Sequence, residues 1–152
     1  MLIPTQIAEC IKNCFIAIGH PIDFDKITII DRGHPHISPC SLPNGKMAVY
    51  MFVYEGEFLK IGKVGPNSNA RYTNQHYNPK SAGSNLAKSI LLDSEMMNKG
   101  IDNENVGEWI KCNCRRIDIE LDVELGMFTL ELIEALLHYK YTPKYEGFSS
   151  QR

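Results

Sequence analysis

The sequence predicts a small α+β protein in which a short antiparallel sheet carries helices packed against it. Three observations lead to this class: an apolar hairpin pattern over residues 47–64, an alternating segment RIDIEL ending at residue 121, and a helical apolar spacing over 126–139. With 152 residues, of which 43% are hydrophobic and 22% charged, the chain can bury one hydrophobic core without disulfides or metal ions to stabilise it. We therefore expect a single domain, with its functional part at about 47–147 and an N-terminal helix, short strand and loop in 1–46.

The first half of the chain predicts a helix, a strand, a loop and a hairpin in that order. Apolar residues recur at helical spacing over 5–19, and KITII at 26–30 is a β-branched run typical of a short strand. Prolines and glycines predict a loop over 31–46. The runs 47–54 and 58–64 then predict two strands that turn at Glu55-Gly56-Glu57.

The second half predicts three helices and one strand. A short helix over 68–77 would carry Arg71, and a longer one over 85–99 would begin at Asn85 and end at Gly100. The alternation in RIDIEL indicates a strand. The clearest helix, over 126–139, ends before Pro143, because proline cannot continue a helix.

Composition and charge bound the function classes. No apolar run approaches the roughly 18–20 residues that cross a bilayer, and MLIPTQIAECIKNC lacks the basic start of a secretory signal. The cysteines are odd in number and unevenly spaced, so we expect reduced thiols in a cytoplasmic protein with no membrane partner.

The net charge of −2 argues against a general nucleic-acid binder, but the charges are unevenly distributed. Residues 58–92 contain no acidic residue, one histidine (His76) and five cations: Lys60, Lys63, Arg71, Lys80 and Lys88. Such a window suits a phosphate-binding face, although a solvated surface would show the same pattern.

The cysteines and histidines do not form a zinc pattern. HPHISPC places His34, His36 and Cys40 close together, but the matching pair of ligands is missing. Cys112 and Cys114 lie far downstream in a segment predicted as a strand, and C-N-C is not the usual ligand spacing.

The hairpin raises a specific question, because Lys60 interrupts an apolar strand. If the turn holds three residues, Lys60 lies opposite Phe52 and shares a face with Tyr50. If the turn holds two residues, the register shifts by one, and Lys60 and Tyr50 point to opposite faces of the hairpin. In the first case a phenol and an ammonium converge beside Gly62, which leaves room for a ligand, and Arg71 can reach them from the following helix.

These residues together resemble the GIY-YIG nuclease family. Ala48-Val49-Tyr50 is similar to the GIY motif, Lys60-Ile61-Gly62 to the YIG motif, and Arg71 to the arginine that follows. The segment IEALLHYKYTPKYEG places Glu134 ahead of a Pro-x-Tyr segment, as in the family's metal-binding helix. The resemblance covers about a third of the chain.

Four departures accompany the resemblance, of which Ala48 in place of the motif glycine is mild. Lys60, in place of the second motif tyrosine, is similar to the restriction-endonuclease branch of the family. His76 follows Arg71 by five residues, which on one helix would point the two side chains in different directions. Glu131 is a rival to Glu134 as metal ligand, and Glu146 stands where many members carry asparagine.

The resemblance implies a DNA endonuclease that depends on a divalent metal, Mg²⁺ or Mn²⁺. Tyr50, Lys60, Arg71 and His76 would be catalytic, Glu134 would bind the metal, and the substrate-binding residues would be Gly62, Lys63, Lys80 and Lys88. A homodimer is expected if both strands are cut. Because a free phenol titrates near 10, the ammonium of Lys60 would lower the pKa of Tyr50 or would itself orient the attacking water.

Two other functions remain open from the sequence. One is a catalytically inactive nucleic-acid-binding module with the same fold, which needs the cations but not Glu134. The other is a structural or regulatory protein without a nucleic-acid partner.

Overall fold

The computed structural model describes residues 3–146 and confirms the predicted class: an open antiparallel sheet of four strands flanked by helices. The strands are β1 (Ile27–Gly33), β2 (Lys46–Tyr54), β3 (Glu57–Val64) and β4 (Arg115–Asp122). The helices are α1 (Ile3–Ala17), α2 (Asn69–Thr73), α3 (Leu86–Leu92), α4 (Val106–Asn113) and α5 (Met127–Tyr141). Short 3₁₀ turns occupy Phe24–Lys26, Gln75–Tyr77, Ser94–Lys99 and Val123–Leu125.

The strand order is β1-β4-β2-β3, so β4 lies between the N-terminal strand and the hairpin. This leaves β3 at one edge of the sheet, with β2 as its neighbour. The β2–β3 hairpin therefore carries the residues that resemble the two family motifs, at one side of the molecule.

The hairpin turns through two residues, Glu55 and Gly56, which both have positive φ. A two-residue hairpin turn of type I′ requires positive φ at both of these positions. Such a turn alone would separate Tyr50 from Lys60, but a β-bulge follows it. The ladder shifts by one residue at Phe52/Val53, so Lys60 lies opposite Phe52, and Tyr50 opposite Gly62. The bulge restores the register in which Tyr50 and Lys60 share a face.

The sheet is buried on both faces. One face packs against α1 and α5 around Val49, Met51 and Ile61. The other packs against α3, α4 and the segment that contains α2, around Tyr50, Phe52 and Leu59. We call the second one the Tyr50 face. In residues 3–146 no helix combines the length and apolar character needed to span a bilayer.

Several predicted elements differ from the structure. The predicted helix over 85–99 stops at Leu92, because Asp93 has extended backbone angles and caps a separate 3₁₀ turn through Glu95 N–H. Cys112 and Asn113 end α4 instead of lying in a strand, and Cys114 follows as its buried cap residue. Asn85 does cap α3, as predicted, by accepting a hydrogen bond from Lys88 N–H.

Candidate active site

The hydroxyl of Tyr50 is the centre of the candidate site. It receives hydrogen bonds from His76 Nε2 at 2.7 Å and from Arg71 Nε at 3.2 Å. Tyr50 is 0% exposed, so these contacts lie in the protein interior. Two donors on one phenol oxygen stabilise negative charge on that atom.

His76 reaches Tyr50 because the helix that carries Arg71 does not continue. Helix α2 ends at Thr73, and Asn74 leaves helical geometry with φ −139° before the 3₁₀ turn at Gln75–Tyr77. The expected divergence of Arg71 and His76 assumed one continuous helix and is wrong for this reason. Both side chains point to the same hydroxyl.

The tautomer of His76 follows from its two hydrogen bonds. The backbone N–H of Leu86 donates to Nδ1 at 3.3 Å, so Nδ1 carries no proton and Nε2 does. Burial, together with the positive charges of Lys60, Arg71 and Arg116, lowers the pKa of His76 to about 2. His76 is therefore a neutral donor to Tyr50 at physiological pH.

The pKa of Tyr50 moves in the direction opposite to the one expected. Burial and the negative charge of Glu146 raise it to about 12, against the lowering effect of Arg71. The expectation that Lys60 would bring this phenol toward neutral range is wrong, because desolvation dominates and Lys60 is paired with a carboxylate. Tyr50 is a protonated phenol at neutral pH.

Gly62 makes room for Tyr50. A Cβ at this position would lie 2.3 Å from the Tyr50 hydroxyl oxygen and 2.6 Å from Cζ. The space that the sequence suggested for a ligand is filled by the phenol ring. Gly62 thus contributes through close packing, and its assignment as a substrate contact is corrected to a positioning role.

Lys60 is 1% exposed and forms an ion pair with Glu146. Its Nζ also lies 3.5 Å from Ser84 Oγ. Glu146 is held near the bulge because the preceding segment pairs with β3: Lys144 N–H donates to Phe58 O at 2.9 Å, and Tyr145 N–H to Leu59 O at 3.0 Å. Glu146 is therefore the carboxylate that the fold brings to Lys60 on the Tyr50 face.

The structure does not bring Glu134 to this cluster. Glu134 lies on α5 and pairs with Lys63, whose partner in the ladder is Val49 on the α5 face. Side chains alternate along a strand, so Lys63 and Gly62 point to opposite faces of β3. The predicted convergence of Glu134 with Tyr50 is not observed: the two residues belong to opposite faces of the edge strand.

The remaining predicted residues lie near the surface. Lys88 Nζ donates to the carbonyls of Ser81 at 2.5 Å and Gly83 at 3.0 Å, so it fixes the loop before α3. Lys80 and Glu131 are exposed. The cationic window is partly neutralised, because Glu134 and Glu146 from outside it pair with two of its lysines.

A buried polar network next to Tyr50 was not predicted. Arg116, Asp118 and Glu120 occupy alternate positions of β4 and point to the Tyr50 face, where they are 1%, 0% and 8% exposed. Their alternation with Ile117 and Ile119 indicates a strand with one solvated face, so the sequence pattern hides their burial. Three charges at spacing two in a central strand were the signal that could have revealed them.

The residues present fit a divalent ion only in part. Within residues 3–146, no three His, Cys, Asp or Glu side chains are grouped so as to hold a metal by themselves. A single carboxylate suits Mg²⁺, which keeps most of its waters and takes further ligands from substrate phosphate. Glu146 meets that requirement on the Tyr50 face, and Glu134 on the α5 face.

No family model, curated protein or solved structure matches this chain. The resemblance to GIY-YIG nucleases therefore depends on the motif residues and on the geometry described above.

Proposed function

We propose that this protein is a phosphodiester hydrolase acting on DNA, with a site of GIY-YIG type centred on Tyr50. The observation that carries the proposal is the convergence of Arg71 and His76 on one buried phenol oxygen, with Lys60 on the same face. Gly62, which carries no side chain, leaves the space that the Tyr50 hydroxyl occupies beside these residues.

The arrangement suits stabilisation of charge at a phosphate. Within residues 3–146, Arg71 donates through Nε to Tyr50, which leaves its two terminal nitrogens for a phosphate oxygen. The Tyr50 oxygen accepts two hydrogen bonds, which leaves its own proton to donate to the phosphate or to the leaving 3′-oxygen. In the hydrolysis, water attacks phosphorus and the bond to the 3′-oxygen breaks. The leaving 3′-oxygen takes the proton of Tyr50, and the Glu146 carboxylate, displaced from Lys60 by the phosphate, is the proposed acceptor of the proton from water.

Access to the phenol requires a local movement. Tyr50 and Lys60 have almost no exposed surface, whereas Glu146 is 26% exposed and covers the Lys60 ammonium. A phosphate would replace the Glu146 carboxylate beside Lys60. The ion pair therefore marks the position of an anion in the site.

The proposed cofactor is Mg²⁺ or Mn²⁺. When bound, the ion would supply counter-charge to the phosphate and lower the pKa of a bound water. Glu146 is the proposed ligand on the Tyr50 face, and Glu134 remains the ligand that the family resemblance implies. Cutting both strands of a duplex would use two copies of the chain.

One observation favours a second function, a catalytically inactive nucleic-acid-binding module. Glu134 is separated from Tyr50 and is neutralised by Lys63, as a protein without metal chemistry would allow. Such a module would bind DNA with a strong salt dependence and leave it intact.

The two functions are separated by incubating supercoiled plasmid with the purified protein and Mg²⁺ or Mn²⁺, with an EDTA control. A hydrolase produces nicked or linear plasmid only with the metal, and Arg71→Lys reduces the product because it removes the planar fork. Retarded but intact plasmid in every lane would indicate the binding module.

A further inference from the structure

Arg116 occupies the centre of the buried network on the Tyr50 face. Its Nη1 donates to the Tyr77 hydroxyl at 2.8 Å, and its Nη2 to the Tyr72 carbonyl at 2.7 Å. Its Nε donates to Asp118 Oδ1 at 2.9 Å. All three guanidinium nitrogens therefore have partners, two of them outside the strand that carries Arg116.

The two outside partners directly follow the two residues that hold Tyr50. Tyr72 follows Arg71, and Tyr77 follows His76. By binding the backbone at one point and the hydroxyl at the other, Arg116 fixes both ends of the segment that contains α2 and the 3₁₀ turn. This segment is otherwise short and irregular, since Asn74 interrupts its helical geometry.

Asp118 and the aromatic rings orient Arg116. Asp118 is 0% exposed and pairs through its other oxygen with Arg32 from β1, so one carboxylate serves two guanidinium groups. The guanidinium carbon of Arg116 lies 5.1 Å from the ring centre of Tyr72 and 5.2 Å from that of Phe52. These contacts fix the position of the Arg116 guanidinium group in the core.

His36 is the second residue that holds the Tyr77 hydroxyl by a hydrogen bond. His36 Nδ1 lies 2.7 Å from the carbonyl oxygen of Cys114 and therefore donates to it, which leaves Nε2 to accept the Tyr77 proton at 2.8 Å. Burial lowers the pKa of His36, which favours this neutral form. The Tyr77 hydroxyl thus accepts from Arg116 and donates to His36, so its orientation is determined.

We infer that Arg116 is a positioning residue for the proposed reaction: it holds the segment 71–77 so that Arg71 and His76 meet at the Tyr50 hydroxyl. This inference depends on the proposed function for its catalytic consequence, but its geometric content is independent of any activity. Arg116 itself touches neither substrate nor the reacting atoms. A lysine cannot replace it, because one ammonium does not reproduce a planar fork with three fixed directions.

The test compares Arg116→Lys with Arg115→Lys. Arg115 is the next residue on β4 and pairs with Asp31 through two nitrogens, away from Tyr50, so it controls for the loss of an arginine fork from this strand. The first readout is the imidazole of His76 in long-range ¹H–¹⁵N NMR, assigned with His76→Gln. In the wild type we expect a protonated Nε2 and a bare Nδ1.

We expect Arg116→Lys to lose or broaden the His76 Nε2–H signal, whereas Arg115→Lys keeps it. The second readout is DNA cleavage, in which Arg116→Lys should lower kcat by about 10²-fold with KM changed little, because a displacement of about 1 Å can cost that much. If Arg116→Lys does not fold, Tyr77→Phe, which removes one of the contacts, should show a smaller change in the same NMR signal.

A folded variant, Arg116→Lys or its substitute Tyr77→Phe, with an unaltered His76 signal would overturn the inference, since Arg116 would then contribute to stability alone. If the wild type cleaves no DNA, the proposed function fails, and the NMR comparison still decides whether Arg116 positions His76.

Discussion

At the residue scale, the site depends on one oxygen atom, the Tyr50 hydroxyl, and on Gly62, which makes room for it. The hydroxyl receives two hydrogen bonds inside the core, and the opposite strand must lack a side chain for the phenol to reach them. Each of these contacts has a consequence that a single substitution can reveal.

Gly62→Ala should destabilise the protein by about 1–3 kcal/mol, because the new methyl group overlaps the phenol and the packed core must yield. The matched control is Gly65→Ala near the end of the same strand, where the added Cβ would lie 3.7 Å from Met127 Cε, an ordinary contact. Urea denaturation measures both. Equal stabilities of the two variants would show that the phenol does not occupy the space above Gly62.

His76→Gln should change the pH dependence of stability. The pKa of His76 is about 2 in the folded protein and ordinarily 6.5, so between these values the unfolded chain binds a proton that the folded protein does not. Stability therefore rises with pH and is lost as pH falls below about 6.5, by up to about 1.4 kcal/mol per pH unit. His36 and the carboxyl groups with lowered pKa values, Asp31 and Asp93, act in the same direction.

Denaturation of His76→Gln between about pH 6 and pH 5 should thus show a slope smaller by about one proton. His20→Gln, at an exposed histidine, is the control substitution. An undiminished slope in His76→Gln would mean that His76 is not held neutral in the core.

At the element scale, the edge strand β3 divides two ion pairs between its faces. Lys60 pairs with Glu146 on the Tyr50 face, and Lys63 with Glu134 on the α5 face. Lys60 is 1% exposed and Lys63 is 35% exposed. Removal of the partner carboxylate should therefore lower the free energy of unfolding by different amounts at the two positions.

We expect Glu146→Gln to lower the free energy of unfolding by about 2 kcal/mol or more, because it leaves a buried ammonium without its counter-charge. Glu134→Gln should cost about 1 kcal/mol or less, since Lys63 can reach water. Denaturation of both variants, followed by cleavage assays, checks this. Loss of cleavage in Glu134→Gln alone would contradict the assignment of Glu146 as the site carboxylate.

The hairpin shows what the sequence can and cannot predict at this scale. Apolar runs predict both strands, and Glu55-Gly56-Glu57 predicts the turn, which the structure makes through Glu55 and Gly56 alone. The bulge that brings Lys60 opposite Phe52 is one extra residue in the ladder, which no periodicity displays. The interruption of α2 at Asn74 is equally local, and it is what brings His76 to Tyr50.

At the scale of the whole molecule, the sheet is a central layer with helices packed on each of its two faces. The sequence predicts helices packed on a sheet, because helices and strands show their apolar spacing, but it does not predict α4, which packs on the Tyr50 face. It does not predict that Arg116, Asp118 and Glu120 are buried, because charged residues in alternation resemble a solvated strand face. It also places Glu134 near Tyr50, since linear spacing carries no information on which face of β3 each residue occupies.

The central claim is that the Tyr50 hydroxyl takes part in phosphodiester hydrolysis. Because Tyr50→Phe deprives a buried His76 Nε2–H of its acceptor, we expect a loss of about 1–3 kcal/mol in stability, so the comparison is made at a temperature where both proteins are folded. The measurement is the single-turnover rate of cleavage of an end-labelled DNA duplex, with affinity determined in parallel.

We predict that Tyr50→Phe binds the duplex as the wild type does and cleaves it about 10²–10⁴-fold more slowly, the usual contribution of a positioned proton donor or acceptor. A Tyr50→Phe variant that cleaves at the wild-type rate would contradict the claim, as would a wild-type protein that binds the duplex and never cuts it.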